Sequence, residues 1–177
     1  GAILSSVEKY DESSNTWLSS TSLPSARWFI SSISHGGKIF CAGGLNSSNV
    51  LLRDFITFDE VSNTWAELSD MLTARRCLRM VYYNDRIWAI GGNDGSHTNK
   101  VESYDPTTDS WQAETSLITA REYPVAWVAN GRIYVGGGHN GSSFLNSIEV
   151  YDPATKQWTS AGNFPENKHA ADAVVLN

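Results

Sequence analysis

Short runs rich in Val, Ile, Tyr, Phe and Trp alternate with polar segments along the whole chain. No stretch repeats its apolar residues at helical spacing, so the pattern predicts an all-β protein. The pattern is also periodic. Tyr10, Phe58, Tyr104 and Tyr151 are each followed by Asp and each precede, by seven residues, Trp17, Trp65, Trp111 and Trp158. The steps between copies are 48, 46 and 47 residues. Ten residues after the first three tryptophans stand Arg27, Arg75 and Arg121, and sixteen residues after each arginine begins a glycine pair, Gly43-Gly44, Gly91-Gly92 or Gly137-Gly138. A unit of this length has room for four short strands, which must bury their faces against neighbouring copies.

Turn chemistry places those strands, designated A to D. Strand A is predicted over Leu78–Tyr82 and strand B over Ile87–Ile90, with Asn84-Asp85 turning one into the other. Gly36-Gly37 and Asn130-Gly131 hold the same place in other copies, and such pairs suit the positive φ angles of a two-residue hairpin. Strand C, Val101–Tyr104, carries the Tyr-Asp marker, and 105–109 leads into strand D at Trp111. The glycine pair closes strand B, where a side chain would meet a neighbour or an unfavourable φ.

Together the glycine pair, the Tyr-Asp followed by Trp, the aromatics Phe40, Trp88 and Tyr134 three residues before the glycines, and the arginine before strand A resemble the kelch repeat. The copy from Arg121 to Trp158 matches best, and its Ile148-Glu149-Val150-Tyr151-Asp152-Pro153 is similar in style to the Kelch-like proteins, in which a propeller follows BTB and BACK domains. Phe58 in a tyrosine slot and Lys168 in the fourth arginine slot are departures. The resemblance implies a partial kelch β-propeller of four-stranded antiparallel blades, about 3.75 repeats of a ring of about six. Its expected divisions are strands C and D in 1–27, repeats at 28–75, 76–121 and 122–168, and a further strand A in 169–177. Such a piece is expected to associate or to need further repeats.

A formal charge of −6 over 177 residues disfavours nucleic acid, and no apolar run is long enough to cross a bilayer. Cys41 and Cys77 lie among apolar neighbours and read as small buried side chains, which fits a reducing, cytoplasmic setting. Asn46-Ser47-Ser48 and Asn140-Gly141-Ser142 are formal glycosylation acceptors and keep secretion open.

Antiparallel order puts the D–A and B–C connections on one face of every blade and the A–B and C–D turns on the other. The first face is expected to gather Arg27, Arg75, Arg76 and Arg121, and the opposite one Asp11, Glu12, Asp59, Glu60, Asp105 and Asp152. Long B–C loops at 45–53, 93–100 and 139–146 are natural sites of specificity on a rigid scaffold. Carried over from peptide-capturing Kelch-like propellers, the resemblance implies contacts from Leu45, Asn93 and His139 after the glycine pairs. It also implies Trp28, Phe29, Arg76, Cys77, Glu122, Tyr123 and His169 after the arginines, with Phe144 from a B–C loop. Arg27, Arg75 and Arg121 recur in each full copy and read instead as ties between blades; the marker Tyr and Trp residues read as inter-blade core.

Gly136-x-Gly138-x-x-Gly141 matches a dinucleotide fingerprint, but a strand follows rather than a helix, so no nucleotide cofactor is expected. His35, His97, His139 and His169 lack the i, i+4 spacing of helical ligand pairs. No metal site and no catalytic residue is expected, although His139 and His169 share a face. The resemblance implies a protein- or peptide-binding propeller, the substrate-recognition module of a BTB–kelch adaptor for a cullin-RING ubiquitin ligase. The alternatives are an enzyme of the galactose oxidase or sugar mutarotase type and a cytoskeletal, actin-binding kelch protein.

Overall fold

The computed structural model describes residues 3–173. Two strands, β1 (Val7–Asp11) and β2 (Thr16–Ser20), form a hairpin. A four-stranded meander follows, β3 (Ser31–His35), β4 (Lys38–Ala42), β5 (Phe55–Asp59) and β6 (Thr64–Leu68). The next is β7 (Arg79–Tyr83), β8 (Arg86–Ile90), β9 (Val101–Asp105) and β10 (Ser110–Glu114). The last is β11 (Val125–Ala129), β12 (Arg132–Gly136), β13 (Ser147–Asp152) and β14 (Gln157–Asn163). All pairings are antiparallel between neighbours in sequence. The A–B turns have the left-handed pairs foreseen, with Asn84 at φ 50° and Asp85 at 58°, and Asn130 at 50° and Gly131 at 68°.

Strand A begins one residue later than the sequence suggests, at Arg79, because Cys77 takes a left-handed φ of 56° and breaks the extended run. Residues 169–173 form no strand, and 174–177, the rest of that expected strand A, lie outside the described residues.

Alternation decides the packing. In the β7–β10 sheet, Met80, Ile87 and Ala89 point to one side and join Phe40, Phe55 and Leu78 in a core shared with the preceding sheet. Val81, Trp88 and Ile90 point to the other side and join Ile133, Val135 and Tyr151 in a core shared with the following sheet. Three of the four tryptophan markers add a directed bond: the indoles of Trp65, Trp111 and Trp158 donate to the carbonyls of Thr21, Ser69 and Thr115 in the preceding blade at 2.8–2.9 Å.

The expectation that every marker aromatic is core holds for Phe58, Tyr104, Trp111, Tyr151 and Trp158. It fails for Tyr10 and Trp17, which are 41% and 67% exposed. Marker aromatics face the preceding blade, and among the described residues nothing covers that side of the β1–β2 hairpin. Strands A lie innermost, with β7 between β3 and β11. Just before them the backbone joins across blades: the Cys77 N–H donates to Phe29 C=O at 3.0 Å, and the Tyr123 N–H to Cys77 C=O at 2.9 Å.

Candidate functional site

The glycine pairs organise the face formed by the D–A and B–C connections. A Cβ on Gly91 would sit 2.6 Å from the Arg121 carbonyl oxygen, and one on Gly92 2.6 Å from that of Arg76. Both glycines also hold φ angles, +62° and +105°, that L side chains rarely adopt. The close approach lets the Gly92 N–H donate to Arg121 C=O at 2.9 Å, and the equivalent Gly44 and Gly138 reach Arg75 and Lys168.

The repeated arginines complete the tie between blades. Arg75, fully buried, donates to the carbonyls of Ala89, Gly91 and Lys100 of the next blade at 2.9–3.1 Å and pairs with Glu102 at 3.4 Å. Arg121 does the same with Gly137, Ser147 and Glu149, the last at 2.7 Å. The acid in turn accepts from the preceding D–A loop, Glu102 from Leu72 N–H and Glu149 from Ile118 and Thr119 N–H. In the earlier repeat Ile56 fills the glutamate slot, and Arg27 pairs instead with Asp54 at 3.0 Å. The inter-blade reading of these arginines therefore holds.

The expected segregation of charge does not. Arg27, Arg75 and Arg121 are buried and neutralised, so they lend the face no basic surface. On the opposite face Asp59, Asp105 and Asp152 accept turn N–H groups and pair with Lys38, Arg86 and Arg132. Among the described residues, Arg76 on the first face has no ion pair; its guanidinium lies 5.4 Å from the Phe29 ring centroid.

Short backbone bridges bring the predicted residues together. Trp28 pairs with Leu45, Arg76 with Asn93, and Glu122 with His139; each second partner pairs in turn with a B–C loop residue, Leu51, His97 or Phe144. Phe29, Cys77 and Tyr123, one residue further along, hold left-handed φ angles of 57°, 56° and 50°. That conformation costs about 1–2 kcal/mol in a non-glycine residue. It turns each of these residues toward a central cavity of about 290 Å³, lined also by Leu78, Arg79 and Ala170. Burial pushes the Cys77 thiol up to about 11. Burial, with a hydrogen bond to Cys77, likewise raises the Tyr123 hydroxyl well above its ordinary value.

The rings form a continuous series. Trp28 stacks on Phe29 at 5.0 Å, Phe29 meets Tyr123 edge-on at 6.0 Å, and Tyr123 meets His169 at 5.0 Å. His169 lies 4.9 Å from Phe144, Phe144 5.0 Å from His139, and His139 5.2 Å from His97. Trp28, Phe29 and Phe144 keep more than a third of their surface exposed.

The sequence reading missed His97 because the bridging residue of the B–C loop follows its partner by six, four or five residues in successive blades, which hides the equivalence of Leu51, His97 and Phe144. Its two neighbours in space are His139, with Nδ1 3.2 Å from His97 Nε2, and Glu122, with Oε1 at 3.3 Å.

Sequential antiparallel meanders set side by side, with first strands innermost and both faces of the middle sheet buried, define a β-propeller. The Kelch motif family matches residues 29–72, 74–117 and 120–165, and the chain belongs to that family. It is 30% identical to alpha-scruin of Limulus polyphemus over 150 residues, 78% of this chain and 16% of that one. It is also 30% identical to human Kelch-like protein 23 over 84 residues, 46% of this chain and 15% of that protein. A Kelch repeat and BTB domain-containing protein 1 of Cowpox virus shares 24% over 147 residues, 83% of this chain and 18% of its own length. The chain thus spans less than a fifth of these relatives. Among solved structures, that of YjhT superposes with a TM-score of 0.67 at 20% identity, covering 80% of this chain and 53% of that one.

Proposed function

We propose that the D–A/B–C face binds a protein partner through the aromatic series, with Arg76 as its charged anchor. The observation that carries this reading is the run of rings from Trp28 to His97, partly exposed and held on backbone bridges. Exposed aromatics beside an arginine are the composition of interface hot spots, and rigid support lowers the ordering cost of binding. Arg76, half-buried over Phe29, fits an acidic or phosphorylated side chain set among apolar groups, since its fork can donate two parallel hydrogen bonds to a carboxylate or phosphate.

The relatives named for BTB domains support a finer form of the proposal: a cytoplasmic substrate-recognition module of a BTB–kelch adaptor, presenting its partner to a cullin-RING ligase. The test is affinity capture with a propeller carrying Arg76→Ala, Trp28→Ala or Phe144→Ala, with Asp105→Ala on the opposite face as control. Partners should be lost from the first three and kept by the fourth. Loss only with Asp105→Ala would move the binding surface to the other face.

A further inference from the structure

We propose that His97, Glu122 and His139 form a site for a divalent zinc-class cation at the seam between two blades. The three ligand atoms lie within 4.8 Å of one another. Two of the separations are 3.2 Å, between the imidazole nitrogens, and 3.3 Å, from His97 Nε2 to Glu122 Oε1. A tetrahedral Zn²⁺ with bonds of about 2.0–2.1 Å to nitrogen or oxygen places its ligands about 3.3–3.4 Å apart, so both separations from His97 Nε2 already match the edge of such a site.

The backbone explains why they converge. Glu122 and His139 are directly opposed in one antiparallel bridge, and Asn93 and His97 in another, so each pair projects to a common side. Asn93 Nδ2 donates to Glu122 Oε2 at 2.9 Å, which joins the two pairs across the blades and leaves Oε1 turned to the histidines. Gly141 packs against the His97 ring from the following loop: a Cβ there would lie 3.0 Å from His97 Nδ1. This contact also accounts for the third glycine of Gly136-x-Gly138-x-x-Gly141.

The chemistry favours a cation. The Gly141 N–H lies 3.1 Å from His139 Nδ1 and donates to it, which makes that nitrogen an acceptor. Glu122 Oε1 is an acceptor as well, so a single proton on His97 Nε2 must serve both. A metal would replace that proton and the Gly141 hydrogen bond, taking two imidazoles and one carboxylate and leaving a fourth position open to water or a donor group from another molecule. The expectation of no metal site paired His139 with His169; in the fold, His97 of the neighbouring blade approaches His139 instead, a convergence that spacing along the chain does not reveal.

The proposal goes beyond the partner-binding reading, and its test contains no partner, so either can fail alone. The whole chain, stripped with chelator, is titrated with Zn²⁺, and with Co²⁺ as a spectroscopic probe of tetrahedral geometry. One equivalent should bind, with the intense visible absorption of tetrahedral Co²⁺. Affinity should fall at least about tenfold in His97→Ala, His139→Ala and Glu122→Gln, and stay unchanged in His169→Ala. Melting curves establish that each variant is folded, and His97→Gln and His139→Gln replace any alanine variant that is not. Absence of stoichiometric binding in the wild type overturns the site, as does binding that survives loss of both histidines.

Discussion

Arg75 shows how much a single side chain can hold in a repeat of this kind. Its guanidinium is wholly buried, and burial lowers its pKa from the ordinary value while Glu102 and Asp94 act the other way. Removing it leaves the Glu102 carboxylate buried without its counter-charge, so Arg75→Ala should destabilise by about 3–5 kcal/mol. The double variant Arg75→Met/Glu102→Gln should recover part of that loss, because no unpaired charge remains. Denaturant midpoints of the two variants decide it, and equal losses would place the stabilisation in the bonds to Ala89, Gly91 and Lys100. At Gly91, valine meets both a carbonyl oxygen and an unfavourable φ, and Gly91→Val should cost about 3 kcal/mol or more. Gly95→Ala has the strained φ but open space, so the difference between its melting temperature and that of Gly91→Ala reports the steric part.

The C–D hairpins are tuned by acid. The Ser69 N–H, and then the Tyr104 hydroxyl, hold Asp109 below the ordinary carboxylate value of 3.8, and turn hydrogen bonds do the same for Asp11, Asp59 and Asp105. A pKa lowered by folding contributes stability above the unfolded value and loses it as pH falls through the folded one. Melting temperature should therefore drop as pH is lowered below about 4. Asp109→Asn should flatten part of that slope, since Asn tolerates the turn's φ of 47° but does not titrate. An unchanged slope would show that Asp109 does not report folding.

At the scale of the molecule, the outer side of the β1–β2 hairpin offers the opposed pair Tyr10 and Trp17 to solvent, on the surface that in other blades carries the inter-blade core. The 177-residue chain should associate with rising concentration, as measured by light scattering, and Tyr10→Ser with Trp17→Ser should reduce it. A monodisperse wild type across the concentration series would show that this side needs no cover. Both buried cysteines should resist alkylation at neutral pH in the native state, because burial pushes Cys41 and Cys77 up to about 11 and leaves little thiolate.

The order of strands, the hairpin turns, the glycine pairs and the inter-blade arginines were all legible in the sequence. Each is imposed by local backbone geometry or by burial that every copy must solve alike, and so repeats at a fixed period. The shared face of Trp28, Arg76, Glu122 and His139 was legible for the same reason, as it follows from antiparallel order. The period could not disclose how side chains from different blades meet. The loss of basic surface through Asp54, Glu102 and Glu149, the exposure of Trp17, the unbroken series of rings and the approach of His97 to His139 depend on distances across the seams between blades. Those distances are set by packing, and by B–C loops whose lengths differ from copy to copy, so the tertiary structure alone decided them.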